Sequence, residues 1–137
     1  MEPTWWFLSA SDAAAGARKA LAAGDISSAD RFVAEVSSRV LLAPDGAVVP
    51  GAIVSEPAST GDIQYDTLLA TALAFALASR GMAAPAWSVS VRPLDREWMW
   101  DGGYGAGGAF RDFVRARTPA LFLAKNLLPR EQDLISP

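Results

Sequence analysis

The sequence predicts an all-α fold, a single compact domain of about five helices around a central apolar helix at residues 60–79. The chain has 137 residues, which is the size of one domain. Hydrophobic residues make up 51% of it and charged residues 20%, a composition typical of globular proteins rather than disordered chains. Apolar residues recur at helical spacing, while proline and glycine collect in the connections between those stretches.

Residues 1–43 are predicted to form a helical hairpin. Ser11 and Asp12 are suitable N-caps for an alanine-rich helix that ends at Gly24. A second helix is expected to run to about Leu42, because its apolar residues form a single stripe. That stripe comprises Phe32, Val33, Val36, Val40 and Leu41. The short link between the two helices favours an antiparallel pair.

Bulky residues at positions 4–8 (Thr-Trp-Trp-Phe-Leu) precede this hairpin. Three consecutive aromatic side chains are expected to be buried, either in the core or against a partner. Core burial is the favoured interpretation.

Residues 44–59 are predicted to be a Pro/Gly-rich connection. Residues 47–49 and 52–54 flank Pro50-Gly51, so they form either a short β ribbon or, as we favour, a packed loop. A connection of this length is unusual in a compact domain, which makes it a candidate for mobility or function.

The central helix is expected within residues 60–80, with Ser59, Thr60 or Asp62 as its cap and Gly81 as its end. Apolar residues cover most of its circumference, which is typical of a helix at the centre of a domain. They are Leu68, Leu69, Ala72, Leu73, Phe75, Ala76 and Leu77.

Beyond this helix, residues 81–108 form a Trp/Gly-rich irregular segment and residues 109–137 are predicted to hold basic C-terminal helices. One helix is expected at 109–117, and a second begins at Thr118-Pro119 and ends near Lys125. Asn126 suits a left-handed position, which a short extended piece at 127–129 and a last turn at 130–135 are expected to follow.

The composition excludes several kinds of chemistry. The chain has no cysteine and no histidine, so it has no disulfides, thiolate nucleophiles, Cys/His zinc sites or Ser-His-Asp triads. We expect no cofactor. The net charge of −3 is not that of a typical nucleic-acid-binding domain. No secretory signal is visible and the longest apolar run, 68–78, is too short to cross a bilayer, so a cytoplasmic protein without membrane contact is expected.

The candidate binding residues lie in the C-terminal third. Residues 109–130 carry five basic side chains and one acid, whereas residues 1–108 carry seven basic and twelve acidic ones. Exposed tryptophan, methionine and arginine are common at protein–protein hot spots. The predicted partner-binding residues are Trp98, Met99, Trp100, Arg111, Arg115, Arg117 and Lys125. Two other interpretations stay open, because the tryptophans may instead close the core and the arginines may form a solvated helix face.

Two alternative functions have their own motifs. Asp62 and Asp66 lie four residues apart on one helical face, and two carboxylates can hold Mg²⁺, but a structural role at the start of the helix is favoured. Gly103-x-Gly105-x-x-Gly108 matches a dinucleotide fingerprint by letter. No βαβ unit surrounds that fingerprint, so a surface loop is favoured over a nucleotide-handling enzyme or toxin. Asp95, Glu97 and Asp101 form an acidic group beside the tryptophans, and Asp95-Arg96-Glu97 is most simply a solvated turn. The basic segment together with the tryptophans would suit an RNA-binding domain.

Four stretches carry a resemblance to a known family: 59–70 (STGDIQYDTLLA), 84–87 (APAW), 94–100 (LDREWMW) and 118–122 (TPALF). Together they resemble an uncharacterised actinobacterial domain that elsewhere follows an XRE-type helix-turn-helix. The family's Trp-Phe pair appears here as Trp98-Met99-Trp100, and its arginine-rich stretch as residues 123–126.

The resemblance implies a regulatory or antitoxin-like module that binds a partner protein or a small ligand and does not catalyse a reaction. It supplies no catalytic residue. No helix-turn-helix is found in this sequence, so direct nucleic-acid binding is not expected. A homodimer is a further possibility.

Overall fold

Two long helices and a third that runs beside them form the body of the molecule, which is mostly helical as predicted. The structure is a computed structural model that describes residues 6–100 and 108–129. The α-helices are Ala10–Ala22 (α1), Ile26–Leu41 (α2), Ile63–Ser79 (α3), Ala86–Val89 (α4), Gly108–Arg117 (α5) and Ala120–Leu123 (α6). Gly51–Val54 forms a 3-10 turn, and the strands are Trp98–Trp100 (β1) and Leu127–Pro129 (β2).

The helical hairpin of α1 and α2 is present, but its first cap differs from the prediction. Ser9 has an extended backbone and its Oγ accepts a hydrogen bond from the Asp12 amide at 3.0 Å. Ser11 and Asp12 therefore lie inside α1 instead of capping it. Asp25 caps α2, and its carboxylate accepts from the Ser28 amide at 3.1 Å. These caps satisfy amide groups that have no partner within the helix.

The central helix α3 runs parallel to α2. At its start, the Tyr65 hydroxyl reaches Asp30 near the start of α2, and at its end Arg80 reaches the carbonyls of Val40 and Leu41 at the end of α2. The 16 residues of α2 span about 24 Å at 1.5 Å per residue. A chain that joins two parallel helices must travel back over that length. The long connection that the sequence shows is this return path.

The connection contains no β ribbon among its described residues. Residues 47–49 are irregular, and residues 51–54 form the 3-10 turn. Val49 and Val54 pack against the core while Val48 points to solvent. The packed-loop interpretation is thus confirmed.

Arg80 terminates both long helices of this parallel pair. Its Nη1 donates to the carbonyl oxygens of Val40 (3.1 Å), Leu41 (2.9 Å) and Ala43 (2.7 Å). The last carbonyls of a helix lack intrahelical partners, so one guanidinium stabilises the end of α2.

The core lies between α1, α2 and α3, and α3 is buried on almost every side, as predicted. Alanines on α1 let the other two helices approach closely. The short helix α6 adds Phe122, which is fully buried and tilted against Phe75 with ring centroids 5.4 Å apart. Of the three consecutive aromatic residues, Phe7 is half-buried and packs against the core, as favoured, and Trp5 lies outside the described residues. Trp6 is 53% exposed, so core burial is wrong for this residue. Its ring instead lies 4.4 Å from the Arg39 guanidinium carbon, a cation–π contact at the surface.

The two strands pair in parallel, with Trp98 opposite Leu127 and Trp100 opposite Pro129. The extended piece at 127–129 and the left-handed Asn126, with φ of 62°, are confirmed. The predicted glycine loop falls largely on residues 101–107, and the predicted last turn on residues 130–135, all outside the described residues. None of the described helices is long and apolar enough to cross a membrane.

Candidate partner-binding surface

The central pair of the predicted binding residues lies in the interior. Met99 and Trp100 are 8% and 4% exposed, so neither side chain is available to an exposed surface as the sequence suggested. The reason is the pairing of β1 with β2, which covers this segment. The Trp100 indole Nε1 donates to Asp30 Oδ1 at 2.8 Å, which satisfies the one polar atom of the buried ring. For Trp100, the core interpretation is the one that the structure supports.

Trp98 is half-buried and packs on Tyr65, with ring centroids 5.5 Å apart and a tilt of 60°. The Tyr65 hydroxyl donates to Asp30 Oδ1 at 2.6 Å, the same oxygen that receives Trp100. Burial, and then the hydrogen bond to Asp30, raises the pKa of Tyr65. This aromatic node, made of Asp30, Tyr65, Trp98 and Trp100, joins α2, α3 and β1. Its contacts hold the fold together.

Two predicted arginines turn inward instead of forming an open basic face. Arg111 Nη1 lies 3.0 Å from Glu97 Oε1, and Arg115 contacts the same carboxylate through Nε at 3.0 Å and Nη2 at 2.7 Å. A further bond of 2.6 Å joins Arg115 to Asp112. The bond from Arg115, together with that from Arg111, lowers the pKa of Glu97. The same bond to Glu97, and then the one to Asp112, raises the pKa of Arg115.

The interpretation of Glu97 as part of a solvated turn is therefore wrong, because the carboxylate receives three bonds from α5. Asp101 lies outside the described residues, so the acidic group of Asp95, Glu97 and Asp101 is seen only in part. Glu97 precedes β1, and its bonds fasten α5 to the start of that strand. Among the described elements, α5 otherwise contacts chiefly β2.

The opposite side of α5 faces solvent. Ala109, Phe113 and Ala116 are exposed at positions i, i+4 and i+7 of one helical face, and Arg117 follows. Phe113 is 52% exposed, and the Arg117 guanidinium carbon lies 3.7 Å from the centroid of its ring. We call these four residues the outward face of α5. Phe113 is not among the binding residues predicted from the sequence, although its helical spacing from the two alanines is visible there.

Lys125, the last of the predicted binding residues, donates hydrogen bonds to backbone carbonyls and does not pair with a described carboxylate. Its Nζ donates to the carbonyl oxygens of Val89 (3.1 Å) and Val91. The neighbouring Asn126 Nδ2 donates to the carbonyl of Leu94, and the Leu94 amide donates to the carbonyl of Lys125 at 3.1 Å. These bonds fix the irregular stretch between α4 and β1.

The carboxylates of the predicted metal pair are committed to the start of α3. Asp62 caps the helix, and Oδ1 accepts from the Gln64 and Tyr65 amides at 2.8 and 3.4 Å. Asp66 accepts from the Ser59 hydroxyl (2.6 Å), the Thr60 amide (2.7 Å) and the Thr60 hydroxyl (2.6 Å). Across residues 6–100 and 108–129, no group of three or more acidic side chains is placed to hold a metal ion.

No protein-family model, curated protein or solved structure matches this chain. The resemblance to the actinobacterial domain therefore stays a prediction.

Proposed function

We propose that this domain is a non-enzymatic, regulatory or antitoxin-like binding module that docks a helix of a partner protein on the outward face of α5. The observation that carries the proposal is Phe113. A large aromatic ring is exposed at the centre of a helical face, with an arginine stacked on it. Aromatic and arginine side chains are the residues that most often dominate the energy of protein interfaces.

The shape of the face suits a helical partner. Ala109 and Ala116 flank Phe113 at one-turn and near-one-turn spacing and add almost no side-chain bulk. A partner helix can therefore approach the α5 backbone closely on both sides of the ring.

The charge of the outward face indicates which side chains the partner helix should carry. Arg111 and Arg115 are already paired with Glu97, whereas Arg117 makes no ion pair with any described residue. An arginine stacked on an aromatic ring keeps its outer N–H groups available for a carboxylate. We therefore expect the partner helix to present an acidic side chain next to an apolar one.

The two alternative functions have less support. The enzyme alternative depends on Asp62 and Asp66, whose oxygens are used by the backbone and hydroxyl groups at the start of α3. The RNA alternative depends on tryptophans that are free to stack on bases. Trp100 is buried, and Trp98 packs on Tyr65.

A binding experiment with matched variants tests the proposal. The protein captured from a lysate of the source organism is identified, purified and titrated against wild type, Phe113→Ser and Arg117→Glu by calorimetry. Val48→Ser is the control, because Val48 is 82% exposed on the connection and lies outside α5. We expect loss of a hot-spot residue to weaken binding by about thirtyfold or more, and the control to bind as wild type does.

Three results would contradict the proposal. If no protein is captured in a fixed stoichiometry, the domain has no such partner. If the captured protein binds wild type and both α5 variants with equal affinity, the outward face of α5 is not the binding surface. Light scattering that shows a dimer, dissociated by Phe113→Ser, assigns the face to a second copy of this chain instead.

A further inference from the structure

A groove of about 620 Å³ lies on the side of α3 that the body of the hairpin leaves open. Residues 56–59 of the connection form one wall, and the other is formed by Trp87, Ser90, Val91 and Arg92. Leu69 and Ala70 of α3 form its floor, and each is only 2% exposed to solvent. The volume falls within the range of roughly 300–1,000 Å³ that small-molecule sites occupy. No residue of α5 lines this groove, so it is separate from the outward face.

One wall of the groove is rigid and aromatic. The Trp87 indole Nε1 donates to the carbonyl of Val54 at 2.9 Å, which ties α4 to the 3-10 turn and fixes the ring. The half-buried indole lies beside the apolar floor. A flat apolar ligand gains contact area there without ordering a flexible side chain, which keeps the entropic cost of binding small.

One end of the groove is positively charged. Arg92 lines it, is exposed, and makes no ion pair or hydrogen bond within the described chain. The Lys125 ammonium binds the carbonyl of Val91, the residue next to Arg92. Among the described residues, no carboxylate pairs with Arg92 or with Lys125.

Two carboxylates, those of Glu56 and Asp66, also line the groove. Both carboxylate oxygens of Asp66 already accept hydrogen bonds, one from Ser59 and the other from Thr60. Glu56 is exposed on the connection, where water solvates it, on the wall opposite Arg92. The groove thus offers an apolar, partly aromatic floor and an unpaired guanidinium.

We infer that this groove is a binding site for a small aromatic carboxylate. The ring of the ligand lies on Leu69, Ala70 and Trp87, and its carboxylate pairs with Arg92. A planar guanidinium binds a carboxylate through two parallel hydrogen bonds, which fixes the orientation of the ligand as well as its charge.

The test uses 2-naphthoate as the probe and 2-naphthamide as its neutral counterpart, each titrated by calorimetry against the full chain. We expect saturable 1:1 binding of the acid, and binding of the amide weaker by about tenfold, which is typical for loss of a charged hydrogen bond. Arg92→Gln is expected to weaken naphthoate to the same extent. Ala58→Trp, which places a ring in the groove from an exposed position, is expected to abolish binding.

Arg31→Gln is the matched control, because Arg31 is an exposed arginine on α2 that does not line the groove. Circular dichroism and thermal melting of each variant show that it is folded. The inference is overturned if wild type does not bind naphthoate saturably, if acid and amide bind equally, or if Arg92→Gln binds no more weakly than Arg31→Gln.

Discussion

The ring of Phe32 on α2 lies directly against Gly16 on α1. A Cβ atom at Gly16 would stand 2.5 Å from the ring's Cζ, closer than carbon atoms approach in folded proteins. A glycine inside a helix is normally unfavourable, and here it leaves the space that the aromatic ring fills. The packing of α1 against α2 therefore depends on the absence of a side chain at Gly16.

Gly16→Ala is expected to destabilise the protein even though alanine is the better helix former. The gain in helix propensity is about 1 kcal/mol, whereas displacing a packed ring costs about 1–3 kcal/mol. Urea unfolding measures the difference. The double variant with Phe32→Leu makes room for the methyl group and should recover the loss. A more stable Gly16→Ala would show that the ring moves away freely.

Arg80→Met is expected to lower the free energy of unfolding by about 2–3 kcal/mol, the usual contribution of hydrogen bonds to a charged donor. The substitution leaves three carbonyls at the end of α2 without their donor. Asp45→Asn is the control, since Asp45 is fully exposed and its 3.7 Å contact with Arg80 should contribute little. Chemical denaturation compares the two variants, and equal stabilities would remove the helix-end role of Arg80.

Glu97→Gln is expected to loosen α5, because the carboxylate holds both Arg111 and Arg115. Amide hydrogen exchange of residues 108–117 is the measurement, with faster exchange in the variant at neutral pH. Asp112→Asn is the matched control, since Asp112 is exposed and, among residues 6–100 and 108–129, pairs with Arg115 alone. Unchanged exchange in Glu97→Gln would show that β2 alone holds the helix.

The same contact gives a pH dependence with a definite sign. The pKa of Glu97 is lowered in the folded protein from its ordinary value of 4.5. The ion pairs therefore stabilise the fold fully above that value, and their contribution is lost as the pH falls through the lower, folded pKa. In acid, α5 of the wild type should exchange as fast as it does in Glu97→Gln. The variant itself should lack this part of the acid transition.

Asp30→Asn is expected to lower the pKa of Tyr65 while leaving it above the ordinary value. Burial is the larger cause of the raised pKa, and the hydrogen bond to Asp30 is the next. Because the pKa of Tyr65 is higher in the folded protein, the protonated hydroxyl contributes fully to the stability of the fold below the unfolded pKa near 10. That contribution is lost as the pH rises through the folded pKa. Absorbance titration of the phenolate follows this change, and Tyr65→Phe identifies the signal. An identical titration in Asp30→Asn would refute the link.

Local signals in the sequence predicted the main helices well. Asp25 and Asp62 cap α2 and α3 because an aspartate before an apolar run satisfies the free amides of the first turn. The all-round apolar character of residues 68–77 placed α3 at the centre. Each of these signals involves residues that are close together in the chain, so it can be recognised in one sequence without knowledge of the fold.

Contacts between distant residues could not be predicted in the same way. Glu97 and Arg115 are 18 residues apart, and Trp100 and Asp30 are 70 apart, so no periodic pattern links them. The tryptophans were ambiguous for this reason, since the partner of an indole N–H decides whether the ring can be buried. Two strands of three residues each also lie below the length at which alternation is visible.

The parallel course of α2 and α3 also has a consequence for folding kinetics and for engineering. Because α1 and α2 are neighbours in sequence, their hairpin can form early, while α3 can dock only after a long segment closes into a loop. The entropic cost of closing a loop rises slowly, by about 0.6 kcal/mol for each doubling of its length. The exposed bend at Asp45–Val48 is therefore a position where evolution, or a protein engineer, can insert a further segment while the helix pair that it joins stays assembled.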